Sequence, residues 1–143
     1  MASELVPSVR ALARGARLLE VSLDDMTLPQ LRVLTLIDVA PERASALADK
    51  AAVSRPSLTG VLDGLEAKGW LRRVEIDGDR RGVGLEVTKA GRAALRAAER
   101  SATQRLDRVL AAVGDEDRAA VTAGLEALGR ALAAAREARG VAR

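Results

Sequence analysis

The stretch that decides the fold runs from Ser54 to Trp70 and reads SRPSLTGVLDGLEAKGW. Ser54 is a typical N-cap residue, and Gly69 is a typical left-handed stop after a helix. The apolar residues between them recur at positions i, i+3, i+4 and i+7, which places them on one helical face: Leu58, Val61, Leu62 and Leu65. The spacing therefore predicts an amphipathic helix that is capped by Ser54 and extends to Lys68.

Shorter helices are predicted upstream of this one. Thr27 is a suitable N-cap for a helix that carries Pro29 in its first turn. A second short helix is predicted over Ala44 to Lys50, and 51–53 would form a tight turn leading into Ser54. Two helices with so short a joint predict a helix-turn-helix.

A β-hairpin is predicted immediately after Trp70. The Asp77–Asp79 segment (Asp-Gly-Asp) is a turn signal, and Arg80 and Arg81 follow at the tip. On the far side, apolar residues alternate strictly with other types: Val83, Leu85 and Val87. A hairpin directly behind a helix-turn-helix predicts a winged helix with a two-stranded wing.

Long helices flank this unit, at about 4–23 and about 89–139, the latter capped by Thr88 and broken near Gly114. Their apolar stripes repeat at four-three spacing and exceed what a small monomer can cover, which predicts a homodimer. Packing of these stripes within one chain is the alternative. The predicted fold class is mainly α, with an α+β winged helix at about 28–90 inside a single domain over 1–143.

Composition excludes several kinds of chemistry. The 143 residues include no Cys and no His, so thiol chemistry, the usual zinc sites and His-dependent catalysis are ruled out. Trp70 is the single aromatic residue, which leaves no stacking platform for single strands. No enzyme activity, cofactor or metal is expected. Without an apolar run of roughly 20 residues, no membrane span is expected, and the cytoplasm is the default compartment.

Duplex DNA is the partner that the residues favour. The outer face of the Ser54–Lys68 helix is small and polar, so the helix could seat deeply in the major groove, although an ordinary solvated face is the alternative. The N-terminal end of that helix offers four candidate contacts: Arg55, Pro56, Ser57 and Thr59. Arg80 and Arg81 at the hairpin tip suit the minor groove, whose negative potential attracts guanidinium groups.

Several motifs, in order and nearly without gaps over about 28–92, resemble the MarR family of bacterial transcriptional regulators. They are Leu28-Pro29-Gln30-Leu31-Arg32-Val33-Leu34, the stretch from Leu47 to Leu71, Asp79-Arg80-Arg81, and Val87-Thr88-Lys89-Ala90-Gly91. The resemblance implies a homodimer that binds a palindromic operator, with repression as the expected mode. It also implies DNA contacts from Arg55, Pro56, Ser57, Thr59, Asp79, Arg80 and Arg81.

Further expectations come from the same resemblance. Asp63 is expected to pair with Arg81 and so fix the angle of the wing, and a small-molecule effector is expected to release DNA. Gly60 and Gly64 stand where basic residues are common in the family. These two glycines and a net charge of only +3 leave one alternative open, a winged-helix module that binds protein and not DNA. Salt sensitivity of binding would separate the two, because phosphate contacts release counterions.

Overall fold

The structure, a computed structural model, describes residues 2–39, 42–51, 54–75 and 82–141. The chain divides into two compact units, Met1–Thr103 and Gln104–Arg143. A single domain over 1–143 stays a prediction. The described residues form a 3₁₀ helix at Ala2–Leu5, six α-helices and three strands. These are α1 Val6–Glu20, α2 Leu28–Val39, β1 Glu42–Arg43, α3 Ala44–Ala51, α4 Arg55–Ala67, β2 Leu71–Glu75, β3 Val83–Val87, α5 Lys89–Leu110 and α6 Asp115–Val141.

The first helix is shorter than predicted. The sequence stripe suggested a helix over about 4–23, but α1 ends at Glu20. The amide of Ser22 donates to the carbonyl of Leu19 at 2.8 Å, which closes a turn, and Asp24 has a positive φ of 48°. Leu23, within this turn, is buried in the core and does not continue the helical stripe.

The predicted helix starts at Thr27 and Ser54 are confirmed. In each case the side chain of the predicted cap residue bonds to a backbone amide three residues later. At α2, Thr27 and Gln30 form a reciprocal capping box: the Gln30 amide donates to Thr27 Oγ1, and the Thr27 amide donates to Gln30 Oε1. At α4, Ser54 is extended and its Oγ accepts from the Ser57 amide at 3.3 Å. At the other end of α4, Gly69 has a φ of 69°, as a left-handed stop requires.

The predicted hairpin is confirmed, and the structure adds a strand to it. Strands β2 and β3 pair antiparallel from Leu71 opposite Val87 to Glu75 opposite Val83. The short β1 pairs with the other edge of β3, so the described strands form a sheet in the order β1-β3-β2. The predicted two-stranded wing is therefore part of a three-stranded sheet.

The core of the first unit lies where the helix-turn-helix meets this sheet. Four of its fully buried leucines come from four different elements, namely α2, α3, α4 and β3: Leu34, Leu47, Leu65 and Leu85. A fifth, Leu23, comes from the turn after α1. Leu95 and Ala98 contribute the inner face of the first turns of α5. Burial of these side chains fixes α4 with one face inward and the opposite face outward.

The flanking helices α1 and α6 leave apolar side chains exposed. No residue of α1 is buried, and the exposed fractions reach 62% at Val9 and 48% at Leu12. In the second unit, Leu125 and Leu132 of α6 are 47% and 52% exposed. Within the described ranges, no helix combines the length and the hydrophobicity needed to cross a membrane.

Candidate nucleic-acid interface

The N-terminal end of α4 presents the predicted contact residues together. Arg55, Pro56, Ser57 and Thr59 are all exposed. The hydroxyl of Ser54 donates to Ser57 Oγ at 2.8 Å, and Thr59 Oγ1 donates to the Arg55 carbonyl at 3.2 Å. Each hydroxyl oxygen thus has a defined position and keeps lone pairs for an incoming donor.

Arg55 is the free cation of this end of the helix. Among the residues that the structure describes, its guanidinium has no hydrogen-bonded or ion-paired partner, unlike those of Arg72 and Arg73 on β2. It lies in the first turn of α4, where backbone N–H groups also attract anions. A guanidinium placed there is available to bind a phosphate or a base edge.

A cleft of about 240 Å³ lies beside this end of α4. Apolar side chains from α3 and α4 line it together with Thr59 and two arginines, the full set being Ala44, Ala48, Arg55, Leu58, Thr59, Leu62 and Arg73. Arg73 was not among the residues predicted from the sequence. The cleft therefore connects the predicted surface on α4 with strand β2.

The two glycines on α4 face different surroundings. A Cβ built on Gly60 meets no atom within 4 Å, so this position opens to solvent on the outer face of the helix. A Cβ on Gly64 would lie 3.1 Å from Gln30 Nε2, and Gly64 is half-buried. Gly60 is therefore a vacant position on the candidate interface, whereas Gly64 packs against α2. The suggestion that Gly64 marks a missing DNA contact is not supported by this geometry.

The predicted wing residues Asp79, Arg80 and Arg81 lie outside the described residues, so the Asp63–Arg81 pair stays a prediction. The described partner of Asp63 is Arg73, whose Nη2 lies 3.9 Å from Asp63 Oδ1. Arg73 binds Glu66 much more closely, with Nε 3.0 Å from Oε1. The hydrogen bond to Glu66 and the charge of Glu66 raise the pKa of Arg73 above its ordinary value. Desolvation opposes this rise, and the more distant charge of Asp63 adds a weaker increase.

The junction between α4, the hairpin and α5 is held by the backbone and by Thr88. Thr88 Oγ1 donates to the Gly69 carbonyl at 2.6 Å and accepts from the Gly91 amide at 3.0 Å. The Thr88 amide donates to the carbonyl of Trp70 at 3.0 Å. A Cβ on Gly91 would lie only 2.0 Å from that carbonyl oxygen, so glycine is required there. This junction fixes the base of the hairpin next to the C-terminal end of α4.

A helix-turn-helix whose second helix exposes a face of small and polar residues, followed by a β-hairpin, is a winged helix-turn-helix. Known proteins with this architecture match the chain. Residues 26–83 match the sequence pattern of the MarR family. The HTH-type transcriptional regulator YfiV of Bacillus subtilis (strain 168) is 34% identical over 109 residues, which are 76% of this chain and 68% of that protein.

Two solved structures extend the likeness over most of the chain. The transcriptional repressor CouR, bound to a 23-mer DNA duplex, has a TM-score of 0.73 and 29% identity, with 90% of this chain and 94% of that chain covered. A MarR family protein of Mycobacterium tuberculosis, in complex with salicylic acid, has a TM-score of 0.68 and 26% identity, with 84% and 91% covered. The chain belongs to the MarR family and is a DNA-binding transcriptional regulator. This is a family of regulators and not of enzymes.

Proposed function

We propose that the protein binds a two-fold symmetric operator as a homodimer and represses transcription there. Each subunit inserts the N-terminal end of α4 into the major groove and directs Arg80 and Arg81 to the adjacent minor groove. The observation that carries the proposal is the exposed end of α4, where the Arg55 guanidinium has no described partner and Ser57 and Thr59 present oriented hydroxyls.

The shape of α4 supports major-groove binding. Along the outer face, Pro56, Gly60 and Ala67 are exposed and small, so the helix backbone can approach bases closely in a groove roughly 12 Å wide. The CouR complex with a 23-mer duplex supports the same mode here. Two half-sites separated by about one helical turn, roughly 10 base pairs, fit within a duplex of that length.

The exposed stripes on the flanking helices support the homodimer. Leu5, Val9 and Leu12 are exposed at the start of the chain, and Val121, Leu125 and Leu132 are exposed on α6. Exposed leucines and valines repeating along a helix are costly in water, because each gains about 1.5–3 kcal/mol on full burial. A second copy of the chain would cover them and would also set the half-site spacing.

An aromatic acid is the effector that we propose to test first. The relative from Mycobacterium tuberculosis was solved with salicylic acid, which supports a ligand of this kind for the present chain. With neither Cys nor His in the sequence, thiol oxidation and histidine titration are not available as signals. Salicylate should weaken operator binding at millimolar concentration or below, and benzyl alcohol is the uncharged control.

Selection of bound duplexes from a randomised library, followed by a salt titration on the selected sequence, tests DNA binding. We expect a two-fold symmetric consensus and an affinity that falls steeply with salt, with a slope of roughly −0.9 per phosphate contacted. In vitro transcription from a promoter that contains this sequence then tests repression. A folded dimer that selects no duplex would contradict the proposal and favour the protein-binding alternative.

A further inference from the structure

We propose that Glu66 is a positioning residue for DNA binding: through Arg73, it fixes the angle between α4 and strand β2, and hence the direction in which the hairpin leaves the recognition helix. The inference rests on the proposed function. It concerns a residue that does not touch DNA itself.

The contact between Glu66 and Arg73 is bidentate. Arg73 Nε lies 3.0 Å from Glu66 Oε1 and 3.2 Å from Oε2, and Arg73 Nη2 lies 3.1 Å from Oε2. Two planar groups joined by several hydrogen bonds constrain their relative orientation as well as their distance. The Glu66 side chain is only 31% exposed, so water competes for it less than for a fully exposed carboxylate. The pair therefore restrains the position of the Arg73 side chain relative to α4.

The Glu66–Arg73 pair connects the recognition helix to the first strand of the hairpin. Glu66 lies in the last turn of α4, and Arg73 is the third residue of β2. Between them the backbone reverses at Gly69, whose amide donates to the Glu66 carbonyl at 2.9 Å. Backbone hydrogen bonds fix the start of this turn, and the Glu66–Arg73 pair extends the restraint two residues into the strand.

The neighbouring arginine provides a matched comparison. Arg72 pairs with Glu86, which stands directly opposite in the antiparallel register, with 2.6 Å between Arg72 Nη2 and Glu86 Oε2. Consecutive strand residues point to opposite faces, so the two arginines serve different contacts. Arg72 joins the two strands of the hairpin to each other, whereas Arg73 joins the hairpin to α4.

Positioning and simple electrostatics predict opposite effects when the charge of Glu66 is removed. A carboxylate on the recognition helix repels DNA phosphates, so Glu66→Gln should tighten binding if only the field of the protein mattered. If Glu66 instead positions the hairpin through Arg73, the same substitution should weaken binding. The sign of the change therefore decides between the two.

The experiment measures the affinity of the full-length protein for the operator selected by the wild type, over a salt series. We expect Glu66→Gln to weaken binding roughly three- to tenfold, and the control Glu86→Gln to change it less than about twofold. In an Arg73→Gln background, Glu66→Gln should cause no further weakening, since its positioning action passes through Arg73. Equal or tighter binding by Glu66→Gln, or an undiminished effect in the Arg73→Gln background, would overturn the proposal.

A second measurement does not depend on DNA. Residual dipolar couplings of the free protein report the orientation of β2 amides relative to those of α4. We expect these to change in Glu66→Gln and to stay unchanged in Glu86→Gln, with both variants as fully folded as the wild type. An unchanged α4–β2 orientation in Glu66→Gln would refute the positioning role. Failure of the wild type to select any duplex would refute the proposed function and leave this measurement to decide on Glu66.

Discussion

Substitution of Gly60 should increase stability and DNA affinity together, whereas substitution of Gly64 should do neither. Both glycines lie inside α4, where replacing Gly by Ala stabilises an exposed helix by about 1 kcal/mol. At Gly60 the new Cβ meets nothing within 4 Å, so the full gain is expected for Gly60→Ala. Urea denaturation should show a higher midpoint with an unchanged slope.

Gly64→Ala is the matched control in the same helix. The new Cβ would lie 3.1 Å from Gln30 Nε2, and Gln30 is buried with its Oε1 accepting from the Thr27 amide and from Lys68 Nζ. Because Gln30 is anchored in this way, it yields with difficulty, and we expect the helix gain of about 1 kcal/mol to be cancelled. A stabilisation as large as that of Gly60→Ala would show that Gln30 rearranges freely and would refute the packing argument.

The effect on DNA affinity is tested by substituting each glycine with arginine. Gly60→Arg places a cation on the outer face of α4 in each subunit of the proposed dimer, so one added phosphate contact per subunit should steepen the salt slope by roughly 1.8. Fluorescence anisotropy with the selected operator at several salt concentrations measures this slope. In Gly64→Arg the Cβ of the new side chain would lie next to Gln30 of α2, so this variant should leave the salt slope unchanged. An equal increase for both variants would mean that added charge alone strengthens binding, irrespective of the helix face.

Three further outcomes are expected. Gly91→Ala should destabilise the fold by about 3 kcal/mol in urea denaturation, because its Cβ would lie 2.0 Å from the Trp70 carbonyl oxygen; a wild-type midpoint would contradict this contact. Lys68→Met removes a cation 4.5 Å from the Trp70 ring centroid and should change the emission of this sole tryptophan at a cost of about 1 kcal/mol; an unchanged spectrum would argue against the contact. Leu125→Glu should yield monomers in sedimentation velocity at micromolar concentration, whereas Val39→Glu, on α2 and 87% exposed, should remain dimeric.

Features that depend on residues close together in the sequence were predictable. The caps at Thr27, Ser54 and Thr88 each bind an amide three residues later, so the chemistry that starts the helix is contained in four letters of sequence. The inward face of α4 follows in the same way from the 3.6-residue period. These helix starts and faces predict the helix-turn-helix, and the alternation of Val83, Leu85 and Val87 predicts the hairpin behind it.

Features that depend on distant residues were not predictable. Strand β1 has two residues, too few for a period, and its position is set by pairing of Glu42 with Leu85 far along the chain. The orientation of Gly64 toward Gln30 depends on how closely α2 and α4 pack, which no local pattern states. The end of α1 also differed, because burial of Leu23 outweighs continuation of the helical stripe.

The ion pairs of the candidate site could be predicted from the sequence only in part. The sequence offers Asp63 and Glu66 on one side of the Gly69 turn and several arginines on the other, and opposite charges alone cannot assign partners. Strand alternation assigns Arg73 to the face toward α4 and Arg72 to the opposite face, but only after the register of the hairpin is known.

The anchoring of α4 explains how its outer face can vary without loss of the fold. Ser54 caps the N-terminal end, Leu58, Leu62 and Leu65 bury the inner face, and Gly69 with Thr88 holds the C-terminal end. None of these contacts involves the outer face, so an exposed position there, such as Gly60, is free to change with the DNA sequence that it meets. The Glu66–Arg73 pair differs, because it lies at the edge between the fixed and the variable surface. A substitution at Glu66 should therefore alter the placement of the hairpin while the caps and the core of α4 remain intact.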